Sequence, residues 1–120
     1  YRRDFRTAVE RVLPEWLFAP GTPPEASARV TREFLERTGE EAVALIEPLY
    51  RFDVRPAASA LTVPVRAINA DLQPTDVEAN RRHFRDYAVR LIPGLGHYPM
   101  LEAPDAFNAT LQETLDTLEL

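Results

Sequence analysis

The sequence predicts a mixed α/β chain, with a helical first half followed by strand, helix, strand and helix. Apolar residues recur at helical spacing through most of residues 5–50. Two short β-biased runs, Val63–Ile68 and Tyr87–Ile92, follow later, and a helix-start pattern at Thr75–Glu78 lies between them. The reading divides the 120 residues into a helical segment, 1–60, and a β-α-β-α segment, 61–120.

Phe5, Val9, Val12 and Leu13 share one helical face, so the spacing predicts a helix over 4–13 that ends at Pro14. Residues 14–24 carry four prolines and a glycine and read as loop or broken helix. Trp16, Leu17 and Phe18 lie within that stretch, and such large apolar groups must cover a core, a neighbour or a cleft. A second helix is expected over 24–38, with Val30, Phe34 and Leu35 inward and Gly39 as its stop. A third is expected over 40–50, with Val43, Ile46 and Leu49 or Tyr50 inward and Pro48 in its last turn. Residues 51–61 read as a connector, because Pro56 limits regular structure there.

In the second half, Pro64 belongs at the start of its strand, since it cannot donate to a ladder. Thr75-Asp76-Val77-Glu78 reads as a capping box, with Thr75 as N-cap of a helix over about 76–84. Pro93-Gly94 closes the second strand, and Pro104 suits a first helical turn. Phe107, Leu111, Leu115 and Leu118 form the expected apolar stripe of the last helix. Strand, helix, strand in this order implies a parallel pair joined by a crossover. Two parallel strands do not make a stable sheet alone, so further strands are expected from elsewhere. The abrupt, charged beginning at Tyr1-Arg2-Arg3-Asp4 likewise suggests a piece of a longer protein.

Composition excludes several functions. The hydrophobic content of 45% supports a core, and the net charge of −5 opposes binding to nucleic acid. No cysteine is present, so disulfides and thiolate metal sites are absent. The two histidines lie far apart, without metal-ligand spacing, and no glycine-rich phosphate loop occurs. No membrane-length apolar run or signal-peptide pattern is found, and the expected location is cytoplasmic. No metal or cofactor is expected.

Chemistry concentrates at two strand exits. Asp71 follows the first strand, and His97 sits in Gly94-Leu95-Gly96-His97-Tyr98-Pro99-Met100 after the second. Ligands of such sheets bind beyond the carboxyl ends of the strands. Adjacent strands are about 4.8 Å apart, so loops leaving them can bring a carboxylate and an imidazole into contact.

The run Leu61-Thr62-Val63-Pro64-Val65-Arg66-Ala67-Ile68-Asn69-Ala70-Asp71, then a helix and a strand, then Gly96-His97-Tyr98-Pro99-Met100-Leu101-Glu102-Ala103-Pro104 and Phe107, resembles the C-terminal end of an α/β-hydrolase. The resemblance implies that residues 1–60 are the helical cap and that 61–120 are the last part of the core. It implies His97 as general base and Asp71 as the acid that orients it. The family's acid is often preceded by Gly-x-x, and here Asn69-Ala70 stands instead, which leaves Asp76 as a rival. The family's Gly-x-Ser-x-Gly nucleophile elbow is absent: Ser27 and Ser59 lack its glycines. The nucleophile and oxyanion hole are therefore expected from a missing N-terminal portion, in the same or a separate chain.

The activity implied is hydrolysis of a small ester or related acyl substrate, with the isolated chain inactive. Dehalogenase, epoxide and C–C bond hydrolase chemistry share the scaffold. A non-catalytic binding or interface module is the other alternative. Trp16, Phe18, Tyr98 and Met100 are the candidate substrate contacts, since small-molecule pockets have apolar linings. His83, beside Arg81 and Arg82, reads as a solvated surface residue, and Glu102 as a helix-start acid with no chemistry.

Overall fold

In a computed structural model the structure describes residues 4–118. The chain begins with α1 (Phe5–Thr7), which runs into a π-helical stretch (Ala8–Val12) and then α2 (Leu13–Leu17). Pro14 does not end this helix, contrary to expectation. A proline in an α-helix clashes with the carbonyl four residues back and leaves a hydrogen bond unmade. Here the turn before it widens, with the Leu13 N–H reaching the Ala8 carbonyl, and Pro14 falls in the first turn of α2. Trp16 and Leu17 are therefore helical rather than part of a loop.

α3 (Pro24–Leu35) packs against the π-helical stretch. Val9 and Val30 are buried where the two meet. Gly39 does not stop α3; it is the first residue of α4 (Gly39–Ile46). The Thr38 hydroxyl accepts from the Glu41 N–H, and the Glu41 carboxylate accepts from the Thr38 N–H, a complete capping box. After α4 come a 3₁₀ turn (Leu49–Arg51) and α5 (Arg55–Ala60). Pro56 occupies the first turn of α5, where its missing N–H costs nothing, so the expected connector is partly helical. Ile46, Leu49 and Tyr50, expected inward, are exposed, Tyr50 by 87%. Their spacing marks a helical face, but no element of the described residues covers it.

β1 (Val65–Ala70) and β2 (Tyr87–Ile92) form a two-stranded parallel sheet, with Val65 opposite Tyr87 and Ala70 opposite Ile92. β2 matches its expected bounds. β1 starts two residues later, after Pro64, and pairing carries it on through Asn69 and Ala70. α6 (Val77–His83) forms the crossover. Its N-cap is Asp76, whose carboxylate accepts from the Ala79 N–H at 2.8 Å, and not Thr75. The Thr75 hydroxyl instead accepts from the Asn69 side-chain amide at 2.8 Å, which ties the end of β1 to the start of the crossover. His83 is half-buried at the end of α6.

α7 (Pro99–Glu102) is one turn, and α8 (Pro104–Asp116) lies across both strands. The inward line of α8 runs through Phe107, Thr110 and Thr114 rather than through Leu111 and Leu115, which are exposed. Thr114 tolerates burial because its hydroxyl donates to the Thr110 carbonyl at 2.6 Å. The described core is small: Val9, Ala19, Ala26, Val30, Ala58 and Ile92 are its buried apolar residues. The radius of gyration, 16.6 Å, exceeds the roughly 14 Å of a compact chain of this length.

Candidate functional site

Asp71 is the first residue after β1, and His97 lies five residues beyond β2. Because the strands are parallel and Ala70 faces Ile92, both loops leave the same rim of the sheet. The Asp71 carboxylate accepts from the Gly94 N–H at 2.8 Å, so the two loops are joined. Gly94 has φ of +76°, a left-handed conformation that glycine adopts without strain, and this turns the chain back over the strand end.

The expected contact between Asp71 and His97 is not made: no hydrogen bond or ion pair joins them among the described residues. One Asp71 oxygen is turned onto Gly94, and the second takes no hydrogen bond from the described residues. His97 is exposed and lines a cavity of about 260 Å³ with Asn69, Leu72, Thr75, Pro99 and Met100. The Asn69–Thr75 hydrogen bond closes the loop that forms its far wall.

Backbone geometry fixes the position of His97. Its N–H donates to the Leu17 carbonyl at 2.6 Å, binding the loop to the end of α2. On either side, Glu102 holds the chain: its Oε2 accepts from the Gly96 N–H at 2.8 Å and its Oε1 from the Tyr98 N–H at 3.1 Å. Oε2 also accepts from the Thr22 hydroxyl at 2.6 Å. Glu102 is only 6% exposed. A buried carboxylate needs such partners, and hydrogen bonds to a charged acceptor are strong. Glu102 is thus the residue that the sequence reading passed over. Its signal was its place five residues after the histidine, where a helix-start acid was a sufficient explanation.

Gly96 is required sterically. A Cβ there would overlap the Leu17 carbonyl oxygen and lie 2.7 Å from Glu102 Oε1 and 2.8 Å from the Ala19 nitrogen. Only a residue without a side chain lets the histidine loop approach α2 this closely.

The four candidate substrate contacts separate. Met100 lines the His97 cavity. Tyr98 meets the His97 ring edge-on, with centroids 5.1 Å apart, and packs on its other side against Phe18 at 6.4 Å. Burial, and secondarily the Glu33 carboxylate, raises the Tyr98 phenol above its usual pKa. Phe18 lines the groove between α2 and α3, one ring away from the cavity. Trp16 is 66% exposed and lies outside the residues lining the His97 cavity. Asp76, the rival acid, is committed to capping α6.

Among the described residues no cluster of three or more potential metal ligands occurs, and no helix is long and apolar enough to cross a membrane. The chain is a mixed α/β protein built around a two-stranded parallel sheet. No family model, no curated protein and no solved structure matches it.

Proposed function

We propose that the chain supplies the base and the acid of a nucleophile–His–acid hydrolase acting on small ester or related acyl substrates. The observation that carries the reading is the placement of Asp71 and His97 on joined loops at one rim of a parallel sheet. His97 would take the proton of the nucleophile and return it to the leaving group, while Asp71 would hold the imidazole tautomer. One Asp71 oxygen is anchored by Gly94, and the other takes no hydrogen bond from the described residues, which leaves it able to accept from the imidazole. The cavity beside His97, with Met100 and Pro99 in its wall, suits a small apolar acyl group.

The nucleophile comes from outside these 120 residues. The Ser27 hydroxyl donates to the Pro24 carbonyl at 3.0 Å on α3, and Ser59 lies on α5; neither lines the His97 cavity. Residues 1–60 act as the cap and 61–120 as the end of the core in this reading. With an aspartate as nucleophile, the same base and acid would serve dehalogenase or epoxide hydrolysis; a C–C bond hydrolase would reuse the same arrangement with a serine. The test is turnover of a short-chain aryl ester by the full-length polypeptide and its His97→Ala variant. The variant is expected to lose activity by about 10³-fold or more; unchanged turnover overturns the reading.

A second reading, a non-catalytic interface module, draws on Leu45, Leu49, Tyr50 and Phe52, all more than 60% exposed. Under it, His97→Ala leaves association intact, and substitutions on that face alter it instead.

A further inference from the structure

The segment between α2 and α3 is bound to the histidine loop at two points. The Leu17 carbonyl accepts from the His97 N–H, and the Thr22 hydroxyl donates to Glu102 Oε2 at 2.6 Å across 80 residues of sequence. Thr22 is itself set by a turn, its N–H donating to the Ala19 carbonyl at 3.0 Å. Ala19 is buried, and its nitrogen lies against Gly96, so the turn has little freedom to move away.

We infer that Thr22 is a positioning residue for His97, acting through Glu102. The inference rests on the hydrolase reading above. Glu102 Oε2 has two donors, the Gly96 N–H and the Thr22 hydroxyl, while Oε1 has the Tyr98 N–H. These hold the backbone on both sides of His97 from a single carboxylate. Removing the hydroxyl leaves Oε2 short of a donor at a site where little water reaches, since Glu102 is 6% exposed. The carboxylate then loses its fixed position, and the Gly96 and Tyr98 N–H groups that it holds are no longer held in place. His97, between them, loses its fixed direction, and small misplacements of a catalytic group are costly in rate. Neither of the sequence motifs around Asp71 or His97 contains Thr22.

The experiment compares wild type, His97→Ala, Thr22→Val, Thr22→Ser and Glu102→Gln in the full-length polypeptide, with a short-chain aryl ester as probe. Thr22→Val should lower kcat about tenfold and leave KM within about twofold, because it changes the direction of the base and not the substrate contacts. Thr22→Ser, which restores the donor, should return kcat to near wild type. Glu102→Gln should share the kcat loss at unchanged KM. Thr22→Ala serves the same arm where the valine variant does not fold. Wild-type kcat in Thr22→Val beside an inactive His97→Ala overturns the inference and leaves the hydrolase reading standing. So does a raised KM at unchanged kcat, which would make Thr22, a residue of the α2–α3 groove wall, a substrate contact instead. Full activity in His97→Ala overturns the hydrolase reading and the inference together.

Discussion

The Gly94 N–H donates to the Asp71 carboxylate at 2.8 Å, and this one bond joins the exit of β1 to the exit of β2. It holds the acid against the loop that leads to His97, 26 residues further along the chain. The acid thus helps to build the site as well as being a candidate for its chemistry. The two roles are separable, because asparagine keeps an oxygen for Gly94 while losing the negative charge. Asp71→Asn should leave the unfolding midpoint nearly unchanged and lower turnover of the full-length polypeptide, whereas Asp71→Ala should lower both. Urea unfolding followed by circular dichroism, beside ester turnover, checks the pair.

Glu102 should matter more for folding than any other acidic side chain in the histidine region. Glu102→Ala strands the Gly96 and Tyr98 N–H groups and is expected to cost about 3 kcal/mol. Glu102→Gln keeps a single carbonyl oxygen for Gly96 and Thr22 and turns an amide toward the Tyr98 N–H, so its cost falls between. Denaturant midpoints of the three proteins give the order.

The two loop glycines should respond differently to alanine. Gly94→Ala has open space for its Cβ and suffers only from φ of +76°, a cost of about 1 kcal/mol. Gly96→Ala meets backbone atoms of Leu17 and Ala19 and the Glu102 carboxylate, and should cost about 3 kcal/mol or prevent folding of the loop. Thermal unfolding of both variants checks this, and equal losses would contradict the packing described for Gly96.

Acid should weaken the fold in part through two aspartates paired with arginines. Hydrogen bonds from Arg55 hold the Asp53 carboxyl down to about 2, and hydrogen bonds from Arg66 hold Asp86 below its usual 3.8. Both groups have a folded pKa below the unfolded one, so their stabilisation is present above about pH 4 and is lost as pH falls through the folded values. The Arg55–Asp53 pair and the Asp86 carboxylate face solvent, so the effect is small and salt-sensitive. Unfolding midpoints between pH 5 and 2 should fall less steeply in Asp86→Asn than in wild type.

The legible parts of the fold were those with local punctuation. Pro64 and Pro93-Gly94 bracket the strand pair, and Pro104 marks the start of α8. Less legible was whatever depended on a distant partner. Periodicity identified a helical face at Ile46 but not whether anything covers it. Thr75 had the pattern of a cap, yet the Asn69 amide claims its hydroxyl and Asp76 caps instead. The π-helical stretch that carries the chain past Pro14 has no pattern of its own in the sequence. In the candidate site, Asp71 and His97 stood out by their places after strands. Glu102 looked ordinary because one of the partners that satisfy its buried carboxylate, Thr22, is 80 residues away.

The most direct test of the account is a double-mutant cycle on ester turnover by the full-length polypeptide, using Asp71→Asn and His97→Ala. Groups that act as a unit lose activity non-additively. The account predicts that each change alone lowers kcat by about 10³-fold or more, and that the double variant is no slower than His97→Ala. Losses that multiply in the double variant, or a His97→Ala protein that turns over at the wild-type rate, would contradict it.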